Sequence, residues 1–146
     1  IALIMEDGQI LHSLVYGMSY PLSFVGSEIA AVGMFVMQTL LNLFIPSGSG
    51  QAYVTIPLLA PVGDLVGVYR QVVVLAYQFG DGFSNMIIPT NAVLMGIIGM
   101  AGVPYHLWFK FCLPLLLKLM GAAALVLVLA VVFDYGADVQ PLLVTN

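Results

Sequence analysis

The chain has one cysteine, three basic side chains and seven acidic ones among 146 residues. Cys112 stands alone in an apolar stretch, so neither a disulfide framework nor a Cys-x-x-Cys metal site can be built within the chain. With 7% of residues charged, there is too little polar surface to coat a soluble domain. A net charge of −4 without any basic run argues against nucleic acid and anionic surfaces as partners. No period of about 20–50 residues repeats, so any internal duplication has its other copy outside this chain. The chain opens on Ile1 without a charged n-region, short apolar core and cleavage site, and reads as a truncated start.

What is present is apolar. Hydrophobic residues make up 62% of the chain and the mean hydropathy is +1.10. This predicts an all-α integral membrane protein whose main partner is the lipid bilayer, with room for about four or five crossings at about 20 residues each.

Residues 1–20 read as an interfacial arm helix, with Ile10, Leu11, Leu14, Val15 and Met18 on one side and His12, Ser13, Gly17 and Ser19 on the other. Residues 21–62 contain an apolar run at 29–45, crossed only by Gln38, Thr39 and Asn42, which stops at 46–51 in proline, serine and glycine turn chemistry. The apolar piece that follows, 52–62, would reach roughly 16 Å as a helix against a ~30 Å hydrocarbon core and cannot span alone. A polar link at 63–71 carries Arg70, the only arginine, and reads as a return to the water interface.

Over 69–101 a second apolar element is interrupted at 80–85 and again at Pro89, Thr90 and Asn91. Each half covers roughly 15 Å, which predicts a broken transmembrane helix. After a loop at 102–106, Trp108 and Lys110 stand where interface anchors belong. Residues 105–133 then form the plainest crossing, and 134–146 a tail. Lys110 and Lys118 before that span, with Asp134 and Asp138 after it, place its start on the cytoplasmic side.

The two polar interruptions are where chemistry is expected. Irregular backbone at membrane depth leaves amides and carbonyls unpaired unless protein, water or ligand meets them. Carriers use this arrangement, presenting half-helix N-termini to anions and unwound carbonyls to cations. Ser47, Ser49, Gln51, Ser84, Asn85, Thr90 and Asn91 supply neutral donors and acceptors, and Gly48 and Gly50 let backbone approach a substrate. Asp81, flanked by Gly80 and Gly82 and followed by Asn85, is the candidate for a coupling ion, because a carboxylate inside a membrane segment must pair, bind a cation or take up a proton.

Packing alternatives stand beside these readings. Serine, threonine and glycine in membrane helices also serve as interhelical packing residues. Asp81 could pair with Arg70, although the intervening helix would separate them by ~16 Å. Glu28, Asp64 and Arg70 suit an interface, and Gln38, Thr39 and Asn42 suit either interhelical bonding or site lining. His12 and His106 share no metal-site spacing with acids or with Cys112. The Ser-Gly-Ser-Gly run lacks the Lys-Ser/Thr ending of a P-loop, and Tyr53 stands at the third glycine position of a dinucleotide fingerprint. No nucleophile-and-base constellation stands out, so neither an enzyme nor a bound cofactor is expected.

The run from Asn42 through Pro46-Ser47-Gly48-Ser49-Gly50-Gln51, then Pro57, Pro61, Asp64, Gly67 and Arg70-Gln71, then Gln78-Phe-Gly-Asp-Gly-Phe-Ser-Asn85 with Pro89-Thr90, resembles the C-terminal part of the YfcC-type C4-dicarboxylate anaerobic carriers. These are relatives of basic amino acid antiporters within the ion-transporter superfamily. The resemblance implies one inverted repeat of an elevator-type transporter: a re-entrant helical hairpin at 21–62 with its tip at 46–51, and a discontinuous transmembrane helix at 69–101. It further implies a missing N-terminal repeat of the same protein, a homodimer, a bacterial cytoplasmic (inner) membrane location with several passes, and Na+ or H+ as coupling ion. The function expected is secondary transport of a small organic anion or amino acid, coupled to a cation or to exchange. The rival is a non-transporting membrane scaffold whose breaks are kinks packed against a partner.

Overall fold

The computed structural model describes residues 24–137, together with Gly17 and Tyr20. The predicted arm helix and the end of the tail fall outside the described residues, apart from those two positions. Among the described residues the chain is helical, with five helices: α1 (Ser27–Asn42), α2 (Gly48–Val66), α3 (Arg70–Ser84), α4 (Ala92–Met100) and α5 (Tyr105–Val132).

α1 starts behind an extended Gly26, with Glu28 in the first turn where a carboxylate favours the helix dipole. Its inward residues Ala30, Ala31, Met34, Phe35, Met37 and Leu41 are all buried, at the three- and four-residue spacing of one helical face. They meet Leu59 of α2, Val72, Val73 and Ala76 of α3, and Ala123 and Leu127 of α5 in one core. α1 is therefore the central helix, in contact with α2, α3 and α5.

The chain turns between α1 and α2 over 43–47, earlier than the 46–51 expected from composition. Ser47 caps α2, its Oγ accepting from the Gly50 amide at 3.4 Å, so Gly48, Ser49, Gly50 and Gln51 form the first helical turn. Glycine and serine mark a turn by composition, but behind an N-cap they also start a helix. α2 then runs for 19 residues, about 28 Å, well beyond the expected 52–62. It takes in the first four residues of the predicted polar link, 63–66, and Gly63 packs closely against α3 and the turn that follows: a Cβ there would lie 2.6 Å from Val73 Cγ2 and 3.0 Å from the Val68 carbonyl. Gly67, at φ +75°, ends the helix, and Val68 N bonds the Gly63 carbonyl at 2.8 Å, a glycine C-terminal cap. Across this turn Arg70 pairs with Asp64 at 2.8 Å, so Arg70 has an acid six residues back rather than Asp81.

The second interruption is also displaced. Gly80, Asp81 and Gly82 are helical, α3 continues to Ser84, and the irregular segment is 85–91. Gly80 serves helix crossing: a Cβ on it would lie 2.7 Å from Gln38 Cβ and 3.0 Å from the Phe35 carbonyl and the Thr39 amide of α1. Gly82 is exposed, with nothing near it.

Among the described residues, α5 alone is long and apolar enough to cross a bilayer, with a mean hydropathy of 2.7 over its most apolar 18 residues, 22% of which are buried. Its exposed face carries Phe111, Leu117, Leu125 and Val132, as lipid contact would require. Cys112 lies buried on the same helix.

Candidate functional site

The turn before α2 lies against the end of α3. The Tyr77 hydroxyl donates to the Gly48 carbonyl at 2.5 Å. One helical turn further along α3, the Asp81 carboxylate reaches the same place: a side chain on Gly48 would begin 3.1 Å from Asp81 Oδ2 and 3.5 Å from the Tyr77 oxygen. Glycine at position 48 is what permits this approach. The first amides of α2 are located here and precede its first intrahelical bond, from Gln51 N to the Ser47 carbonyl at 2.7 Å. An N-terminal group of this kind carries partial positive charge and free N–H donors.

Asp81 Oδ1 accepts from Asn85 Nδ2 at 3.0 Å. Asn85 Oδ1 in turn accepts from Asn91 Nδ2 at 3.3 Å. Asn91 caps α4, its Oδ1 accepting from the amides of Val93 at 3.1 Å and Leu94 at 3.2 Å. A continuous polar chain thus runs from the acid, across the irregular segment, to the start of the next helix.

Behind Asp81 lies Asn42, fully buried. Its amide donates to the Asp81 carbonyl at 3.0 Å and to Ser84 Oγ at 2.7 Å, and Ser84 Oγ donates back to the Gly80 carbonyl. Asn42 Oδ1 is a buried acceptor without a protein partner. A second buried group joins α1 to α2: Gln51 Nε2 donates to Gln38 Oε1 at 2.6 Å and to the Gln38 carbonyl at 2.8 Å. Gln38 Nε2 donates to Thr55 Oγ1 at 3.0 Å, which donates to the Gln51 carbonyl at 2.8 Å. The open choice for Gln38 and Asn42 between interhelical bonding and site lining thus resolves to interhelical bonding, with Asn42 directly behind the acid. Thr39 bonds its own helix at the Phe35 carbonyl, 2.9 Å.

The structure brings together Gly48, Asp81 and Asn85, with Asn91 joined through Asn85 and Ser84 joined through Asn42. Thr90 links the two irregular segments directly, its hydroxyl donating to the Leu43 carbonyl at 2.9 Å. Gln51 is buried within the α1–α2 pair, Gly50 is held by the Ser47 cap, and Ser49 and Gly82 are exposed. Gly80 faces α1.

Sequence reasoning passed over Tyr77, although its spacing of four from Asp81 puts both on one helix face. It also assigned Trp108 to the membrane interface. Trp108 Nε1 donates to the Met86 carbonyl at 2.8 Å, and Tyr105 beside it donates to the Ile87 carbonyl at 2.5 Å.

Chemically, the juncture offers one carboxylate beside a helix N-terminus, ringed by neutral amides and a phenol. Asp81 is the one charged side chain among these groups. A ligand carrying both a cationic and an anionic group meets a complement for each.

A family model described as C4-dicarboxylate anaerobic carrier matches residues 1–132. An Escherichia coli protein named "Putative basic amino acid antiporter YfcC" is 43% identical over 129 residues, covering 88% of this chain and 26% of that protein. An uncharacterized protein of Haemophilus influenzae is 34% identical over 128 residues, covering 86% of this chain and 25% of that protein. The chain therefore spans about a quarter of the length of the curated relatives it matches. No solved structure matches it.

Proposed function

The chain belongs to the C4-dicarboxylate anaerobic carrier family, and from that premise we propose that it forms one wall of the substrate site of a secondary transporter for amino acids. The observation that carries this reading is the position of the Asp81 carboxylate against Gly48 at the N-terminus of α2. The first amides of α2 receive the substrate carboxylate. Asp81 receives its ammonium group, a coupling cation or a proton, and Asn85 and Asn91 line the irregular segment between α3 and α4. Where Asp81 is ionised and holds no coupling cation, a dicarboxylate would bring two more negative charges beside it, whereas a zwitterionic or basic amino acid brings an ammonium group to it.

In the same proposal α1 and α2 are a re-entrant hairpin, α3 and α4 a discontinuous transmembrane helix, and α5 the following span. Together they form one inverted repeat of an elevator-type carrier in the bacterial inner membrane. The opposite wall comes from the other repeat, and the carrier works as a homodimer driven by Na+, by H+ or by exchange.

A scaffold reading draws on one observation: the carbonyls of Leu43, Met86 and Ile87 are met by protein side chains, as in a kink that needs no ligand. Uptake of labelled arginine, alanine and succinate by the full-length protein in liposomes separates the alternatives. Amino acid uptake that Asp81→Asn abolishes is the expected result. Succinate uptake alone, unchanged in Asp81→Asn, would overturn the substrate class, and no uptake of any of the three would favour the scaffold.

A further inference from the structure

In the irregular segment at 85–91 three successive carbonyls, those of Asn85, Met86 and Ile87, have side-chain donors in place of helical backbone partners, that of Asn85 being met by Asn91 Nδ2 at 3.5 Å. The last two are met from a single helix. Tyr105 and Trp108 are three residues apart at the start of α5, so their side chains emerge on one face. From that face the phenol reaches the Ile87 carbonyl at 2.5 Å and the indole the Met86 carbonyl at 2.8 Å. Both aromatic side chains are partly buried. An unpaired carbonyl at membrane depth is costly enough that two directional donors fix the peptide planes they bind. Those planes lie immediately beyond Asn85, whose side chain bonds both Asp81 and Asn91.

We infer that Tyr105 and Trp108 are positioning residues for the substrate site: they set the backbone of the irregular segment and through it the direction of Asn85 and Asn91. This rests on the reading of 85–91 as part of the site. It assigns the first turn of α5 a role in ligand geometry in place of membrane anchoring. The indole is aimed at protein backbone rather than at a lipid headgroup, and α5 is tied to the break by two bonds that do not depend on its apolar face.

The test is Tyr105→Phe with Trp108→Phe in the full-length protein: the first removes only the hydroxyl donor, and the second removes the indole N–H while keeping a smaller aromatic ring. Hydrogen exchange in the peptide covering 85–91 should accelerate. The substrate half-saturation concentration in liposomes should rise about fivefold for each bond removed, with maximal flux changing less. Unchanged exchange at 85–91 overturns the inference, as does faster exchange with an unaltered half-saturation concentration, because a purely structural pair would lower the amount of folded carrier without moving that constant. Trp108→His, which keeps a ring N–H, should recover part of the loss. If the unmodified protein transports none of the amino acids tested, the proposed function falls, while the exchange arm still decides whether these two residues hold the break.

Discussion

The Tyr77 hydroxyl donates to the Gly48 carbonyl at 2.5 Å, tying the turn before α2 to the helix that carries Asp81. Tyr77→Phe removes this one bond and leaves the ring packed. A neutral hydrogen bond contributes about 1 kcal/mol, so substrate half-saturation should rise about fivefold with only a small fall in thermal stability in detergent. Unchanged half-saturation would mean that the position of the turn does not depend on Tyr77.

Gly80 and Gly82 lie two residues apart and make opposite predictions. At Gly80 a methyl group would come within 2.7 Å of Gln38 Cβ and 3.0 Å of α1 backbone, which cannot move aside as a flexible side chain can. Gly80→Ala should therefore destabilise by about 1–3 kcal/mol, as overpacking does. At Gly82 nothing lies within 4 Å, and Gly82→Ala should be neutral or slightly stabilising, since alanine favours a helix by up to about 1 kcal/mol over glycine. Thermal unfolding of both variants in one detergent decides the matter, and equal effects would refute the close crossing of α1 and α3.

The pattern of these two glycines shows what the sequence could and could not reveal. The long apolar helix α5 was legible from composition, and the breaks expected at 46–51 and 80–91 lie near the irregular segments at 43–47 and 85–91, although Gly48 to Gln51 and Gly80 to Ser84 are helical. The boundaries were not. Glycine and serine after a capping Ser47 look like a turn, although they are the first turn of a helix. A glycine beside an acid looks like room for a ligand, although at position 80 it is room for another helix. Periodicity within one segment carries no information about which helix lies opposite, so Gly80, Gly63, Tyr77 and Trp108 acquired their roles only when α1, α2 and α5 were placed around α3. Asp81 was legible for the converse reason, since a carboxylate in an apolar segment is costly whatever lies opposite.

The Gln38, Gln51 and Thr55 group is buried and bonded throughout, apart from Gln51 Oε1. Gln51→Ala leaves Gln38 Oε1 without its donor and should cost about 1–3 kcal/mol. Gln38→Ala should cost a similar amount, and the double variant less than the sum, because the second substitution removes a partner already orphaned. Additive costs in a double-mutant cycle would show that the two glutamines act independently.

Asn91 joins two functions that substitution can separate. Its Oδ1 caps α4 through the Val93 and Leu94 amides, and its Nδ2 donates to Asn85. Asn91→Ala loses both, and an N-cap alone is worth about 0.5–2 kcal/mol. Asn91→Asp keeps the cap oxygen and adds charge at a helix N-terminus, where it is favourable, so stability should be retained. It removes the amide donor to Asn85, however, and places a second carboxylate on the chain that leads to Asp81. If that chain orients the site, Asn91→Asp should match the unmodified protein in thermal unfolding and still differ in substrate half-saturation and in its dependence on cation concentration. If Asn91 is a cap and nothing more, Asp will restore transport as fully as it restores stability, and the link from Asp81 through Asn85 to α4 will have no part in binding.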